Sequence, residues 1–125
     1  MTTKIYKALL WVQGLYILLT ALWALIDMNS FMAASGPKTD IWLVKTVSVI
    51  LVAVALCLLA NLLFPGNTLP VMVLAAANCI GLAAIDFYYA LKGVIAPIYM
   101  LDGAAEIIFL LCWIYLFMNR KHIRV

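Results

Sequence analysis

Hydrophobic residues in this chain fall into four long runs, and the polar positions inside them recur at helical spacing. The first run covers residues of about 6–31, and Gln13, Tyr16, Thr20, Trp23 and Asp27 follow one another at offsets of three or four. That spacing predicts one helix whose polar-aromatic stripe faces the interior of a bundle, with Leu, Ile, Val and Ala on the opposite face. The same stripe would also serve simply to hydrogen-bond or pack helices together. Ala33 to Asp40 reads as a loop, because Gly36-Pro37 breaks the helix and Thr39 or Asp40 is placed to cap the next.

A second helix is expected at about 41–64, with Lys45 one turn in and Ser48 on the same face. Pro65-Gly66-Asn67-Thr68 forms a tight, uncharged turn. The third helix is expected at about 69–91, with Ala75, Cys79, Leu82, Asp86 and Tyr89 as its inward stripe and Lys92-Gly93 ending it. The fourth is expected at about 97–118, with Pro97 tolerated in the first turn. It carries Tyr99, Asp102, Glu106, Phe109 and Trp113 on one face.

Length turns these runs into membrane spans. Each is near the ~20 residues that cross ~30 Å of hydrocarbon. With 69% apolar and 10% charged residues among 125, the chain lies outside the range of soluble domains. The expected fold is therefore an all-α, single-domain, four-transmembrane-helix bundle over residues 1–125. Lys4 and Lys7 before the first run, with Ala33-Ala34-Ser35 after it, imitate a signal peptide. The run is longer than the ~7–15 residues of a signal's apolar region and carries three polar groups, so it is expected to stay as a helix.

Charge orients the bundle. Lys4 and Lys7 lie at one end of the chain, and Arg120, Lys121 and Arg124 at the other. Four spans bring the two ends to one side, and basic residues favour the cytoplasm. A multi-pass protein of the cell (inner) membrane with both termini cytoplasmic is expected. The net charge of +3 comes from these ends and does not indicate nucleic-acid binding.

The two halves also look like a degenerate parallel repeat. Leu25-Ile26-Asp27 matches Ala84-Ile85-Asp86, and a Pro-containing link then leads to Trp42-Leu43-Val44-Lys45 in one half and Tyr99-Met100-Leu101-Asp102 in the other. Two successive hairpins would share one membrane orientation. Lys45 then takes the place of Asp102, which predicts an ion pair across the bundle from Lys45 to Asp102 or Asp86.

Candidate chemistry centres on acids within apolar helices. Asp102 and Glu106 are four residues apart and share a helix face, and Asp27, Asp86 and Lys45 fall at similar depth. A charge inside the bilayer costs roughly 2.5–3.5 kcal/mol on insertion scales and commonly faces a partner or a water-filled cavity. Four acids against one base implies that some carboxyls are protonated, bind a cation or reach water. Tyr16, Trp23, Tyr89, Tyr99 and Trp113 share these faces, so the expected ligand set is Tyr16, Trp23, Asp27, Lys45, Asp86, Tyr89, Tyr99, Asp102, Glu106 and Trp113. Such a pocket suits a lipophilic or amphipathic small molecule, including a cationic one.

Three classes of function fit that pocket. One is a receptor or proton-linked transporter for such a molecule, with a homodimer expected where a transport path is needed. Another is a membrane-embedded acid/base enzyme (isomerase, cyclase or epoxide-opening) with Glu106, Asp102 and Asp86 as catalytic candidates. The third is a structural or accessory membrane subunit. No phosphate-binding or dinucleotide glycine motif is present. Cys57, Cys79 and Cys112 lack metal spacing, and the single histidine, His122, belongs to the basic tail. No cofactor and no metal are expected.

Overall fold

The computed structural model describes residues 1–124; Val125, the last residue of the basic tail, lies outside them. Its helices are α1 (Thr2–Ile26), α2 (Met28–Ser35), α3 (Ile41–Leu63), α4 (Thr68–Leu91) and α5 (Tyr99–Met118), followed by a 3-10 turn, Arg120–His122. No strand occurs among the described residues. Helices α1, α3, α4 and α5 are each long and apolar enough to cross a membrane.

The first helix stops earlier than its periodicity predicts. Asp27 leaves the helical region at φ −138°, ψ 81°, and its carboxylate accepts from the Ser30 backbone N–H at 3.3 Å. An aspartate that can bond its own downstream backbone competes with the helix and favours a cap. Ser30 Oγ donates to the Asp27 carbonyl (3.2 Å), and the Trp23 indole N–H donates to Ser30 Oγ (2.7 Å), so the break is tied on both sides. Residues 28–35 then form the separate α2. Gly36, at φ +96°, ends it in a conformation that side chains other than glycine's rarely adopt.

The other boundaries need smaller adjustments. Asp40 occupies the cap position of α3 but makes no side-chain cap bond, and only its carbonyl accepts, from Leu43 and Val44. Asn67 caps α4 through a bond from the Leu69 N–H at 3.1 Å. Helix α5 begins at Tyr99, two residues after Pro97, whose carbonyl closes the preceding turn onto the Met100 N–H (2.9 Å).

Helix α1 packs chiefly against α3, and α4 chiefly against α5; α1 also meets α5, and α3 meets α4. The Arg124 backbone N–H donates to Thr3 Oγ1 at 2.9 Å, so both chain ends lie at one end of the bundle. The half nearest the termini is densely packed. Tyr6, Leu10, Leu58, Ala75, Trp113 and Leu116 form its core, and the Tyr6 and Trp113 rings meet edge to face at 5.9 Å. Gly14 lets α3 come close, since a methyl there would stand 2.8 Å from Leu59 Cδ2. The outward surface is apolar, with Leu19, Val49, Ile50, Ile80, Ile108 and Leu111 all exposed. In lipid such a surface carries no penalty, and helix association depends on close packing and interhelical hydrogen bonds.

Candidate functional site

The half of the bundle away from the termini is hollow. A cavity of about 360 Å³ opens between the α1–α3 and α4–α5 pairs. That is within the range of small-molecule sites, roughly 300–1,000 Å³. Half of its lining residues are Ile, Leu, Val or Ala, and the rest include Thr20, Lys38, Ser48, Asp86, Asp102 and Glu106.

Three acids converge on it. Asp102 and Glu106 share one face of α5, as their spacing of four requires, and Asp86 approaches from α4. Gly103 lets these helices come close: a methyl there would lie 2.8 Å from the Phe87 ring, so a larger residue would require the ring or the helix to shift. Asp102 accepts a hydrogen bond from the Tyr16 hydroxyl, which joins α5 to α1. Glu106 is 0% exposed, and neither of its carboxyl oxygens has a hydrogen-bond partner. Asp86 is 5% exposed, and its Oδ2 is likewise unpartnered. Buried polar atoms are nearly always bonded, so such exceptions call for a physical account.

Below the acids lies a hydrogen-bonded layer. The Trp113 indole N–H donates to Gln13 Oε1 at 2.5 Å, and Gln13 Nε2 donates to Cys79 Sγ at 3.2 Å. This layer joins α1, α4 and α5 where the cavity gives way to the packed half. At the opposite end, Lys38 stands at the mouth. Its ammonium donates to the Ser35 carbonyl (3.1 Å), Ser35 Oγ (3.3 Å) and the Gly36 carbonyl (3.1 Å). It also sits 5.0 Å from the Tyr99 ring centroid and 5.8 Å from that of Phe31. Lys38 lines both the cavity and a groove of about 570 Å³ between the α2–α3 and α4–α5 loops.

Of the ten residues expected to bind ligand, the structure brings Tyr16, Asp86, Tyr99, Asp102 and Glu106 to the cavity. The other five are elsewhere. Trp23 is 43% exposed and braces the α1–α2 break, and Asp27 is spent as the α2 cap. Tyr89 faces outward against Tyr88, with ring centroids 5.0 Å apart. Trp113 is buried below the cavity, bonded to Gln13. Lys45 is exposed on the outer face of α3 and does not line the cavity, so the expected ion pair with Asp102 or Asp86 is not formed.

Besides apolar wall residues such as Ile17, Ala21, Leu51 and Ile95, the lining residues that periodicity did not single out are Lys38 and Phe31. Both come from the α1–α3 connection, where side-chain direction follows from a cap and a glycine instead of a repeat. The available signal was a cation two residues beyond a Gly break, beside an aromatic helix end. Among the described residues, no group of three His, Cys, Asp or Glu side chains could hold a metal ion. No protein-family model, curated protein sequence or solved structure matches the chain.

Proposed function

We propose that this is a small integral membrane protein that binds a lipophilic or amphipathic small molecule within the bilayer, as a receptor or a proton-linked transporter. The observation that carries the reading is Glu106: a fully buried carboxyl with two unpartnered oxygens, beside a cavity large enough for a ligand. A bundle selected only for stability would fill that position with an apolar residue, since an unsatisfied buried polar group costs about 1–3 kcal/mol. The chain is read as multi-pass in the cell membrane with both termini cytoplasmic, on the strength of Lys4, Lys7, Arg120, Lys121 and Arg124 at one end.

The two helix pairs are read as diverged halves of a parallel repeat, a view supported by each pair packing mainly within itself. Their matched aspartates have taken different work: Asp27 caps a helix, while Asp86 lines the cavity. The second reading is an acid/base enzyme on a lipophilic substrate. The Tyr16–Asp102 contact favours it, because a phenol bonded to a carboxylate is a proton donor–acceptor pair facing the same space.

The test uses a panel of octyl amphiphiles (octylamine, octanol and octanoate) with the protein in zwitterionic nanodiscs. Binding is read by native mass spectrometry and thermal stabilisation for the native chain and Ser48→Phe, which places a ring in the cavity from the buried Ser48. At least one compound should bind the native protein saturably and Ser48→Phe much less. Equal uptake of every compound by both proteins is membrane partitioning and ends the reading.

A further inference from the structure

The donors and acceptors around the cavity are unequal, and the imbalance identifies the ligand's head. On the acceptor side, Glu106 Oε1 and Oε2 and Asp86 Oδ2 have no partner. Asp102 Oδ1 already acts as an acceptor, toward the Tyr16 hydroxyl. On the donor side, the hydroxyl protons near them are spent: Thr20 donates to the Tyr16 carbonyl at 2.7 Å, and Ser48 to the Val44 carbonyl at 2.8 Å. Two other donors remain, the Tyr99 hydroxyl beside Lys38 at the mouth and the Cys79 thiol, a weak donor next to Glu106. A neutral or anionic acceptor placed among the three carboxyls would therefore find little to bond. A ligand rich in N–H donors would find three waiting acceptors.

Charge gives the same answer. Three of the five carboxylate side chains in the chain line this one cavity. Among the described residues, Lys38 is the only basic side chain that lines it, and its ammonium is held at the mouth by two carbonyls and a hydroxyl. No cation of the protein's own therefore stands among Asp86, Asp102 and Glu106. Buried carboxylates left this way are stabilised by an opposite charge brought in with the ligand.

Lys38 also bears on how many charges that ligand carries. Its ammonium rests against Tyr99 and Phe31, so the mouth already holds one cation against aromatic faces. A second positive group extending from the acids toward this end would meet it. The remaining wall, including Ile17, Ala21, Leu51 and Leu82, offers only apolar surface.

We propose that the cavity binds a lipophilic amine with a single protonated head, its N–H groups donating to Glu106 and Asp86 and its tail lying on the apolar wall between α1 and α3. This rests on the pocket reading above and names the ligand class for the same site. An amine with N–H donors is preferred over a quaternary ammonium, because the unpartnered oxygens accept hydrogen bonds that a trimethylated nitrogen cannot give. A dication is disfavoured by Lys38.

The experiment extends the nanodisc panel to octylamine, octyltrimethylammonium, 1,8-diaminooctane, octanol and octanoate, each titrated against the native chain, Ser48→Phe, Glu106→Gln and Asp86→Asn. Asp27→Asn, which keeps the helix cap and lies outside the cavity, is the control. Octylamine should bind the native chain and Asp27→Asn at least tenfold tighter than the other four compounds. Its affinity should fall at least tenfold in Glu106→Gln and in Asp86→Asn. If octanol binds as tightly as octylamine, survives both acid substitutions and is lost in Ser48→Phe, the amine class is wrong and the pocket reading stands. If no compound distinguishes the native chain from Ser48→Phe, the pocket reading falls and the amine falls with it. Undiminished octylamine binding in both acid variants overturns the proposal even where Ser48→Phe abolishes it.

Discussion

Trp113 and Gln13 are bonded to each other in the middle of the bundle, with the indole N–H donating to Gln13 Oε1 at 2.5 Å and each side chain no more than 1% exposed. The pair ties α5 to α1, which also meet through Tyr16 with Asp102 and through Tyr6 with Trp113. Replacing Gln13 with Leu strands the indole N–H and should destabilise the bundle by about 1–3 kcal/mol. Trp113→Phe strands the amide oxygen instead and also leaves space. In the double variant both polar groups are gone, so its loss should be less than the sum of the two. A double-mutant cycle on unfolding in mild detergent measures this, and strict additivity would show that the bond does not matter.

Gly103 supplies a second constraint. Ala at that position puts a methyl 2.8 Å from Phe87 Cε2 unless the ring or the helix moves. Overpacking of this kind typically costs about 1–3 kcal/mol. Gly103→Ala should therefore destabilise, and adding Phe87→Leu should restore much of the loss. The rescue is the informative measurement, because a simple gain in helix propensity would make Gly103→Ala stabilising without any partner.

The number and order of the long apolar helices were legible from periodicity, and so was the meeting of Asp86, Asp102 and Glu106, although the same pattern also grouped Asp27 and Lys45 with them. A helix fixes which residues share a face, and Asp102, Glu106, Asp86, Tyr16 and Tyr99 reach the cavity for that reason. What periodicity could not see was where a helix would end against its own pattern. Asp27 continues the stripe of Gln13, Tyr16, Thr20 and Trp23, yet its side chain bonds forward to Ser30 and terminates the helix. Lys45 failed for a different reason. Lys45 and Ser48 are three apart, only about 60° around the helix, so a shared face did not decide burial: Ser48 is buried and Lys45, at the edge of that face, is exposed.

Asp27 and Lys45 can be tested together as residues outside the site. Asp27→Ala should cost about 0.5–2 kcal/mol through loss of the cap, while Asp27→Asn, which caps equally well, should be near neutral. Lys45→Met should leave thermal stability unchanged, since the ammonium is exposed and lines no cavity. A large loss for Lys45→Met would reinstate the ion pair with Asp102 or Asp86 that the geometry lacks.

Topology gives an independent check. Thr3 and Arg124 are hydrogen-bonded at one end of the bundle, and Lys38 and Lys92 belong to the loops at the other. In a cysteine-free background, single cysteines replacing Lys4 and Arg124 should label from the cytoplasmic side of intact cells or inverted vesicles. Cysteines replacing Thr39 and Lys92 should label from the opposite side. Labelling of the two termini from different sides would be incompatible with four spans.

Glu106 allows function and stability to be set against each other. It is fully buried, both of its oxygens lack partners, and nothing on α5 offers it a cation. In either protonation state a carboxyl so placed is under-bonded, at a cost of about 1–3 kcal/mol. Met has a similar length and no polar atom, so Glu106→Met should make the ligand-free bundle more stable in detergent. Gln keeps the polar burden and should leave stability near the native value. If both substitutions abolish amphiphile binding, a residue that weakens the empty fold is being kept for what it binds, the expected trade between stability and function. The opposite result, a Met variant clearly less stable than the native chain, would mean that Glu106 has a bonded partner in the folded bundle and belongs to its scaffold.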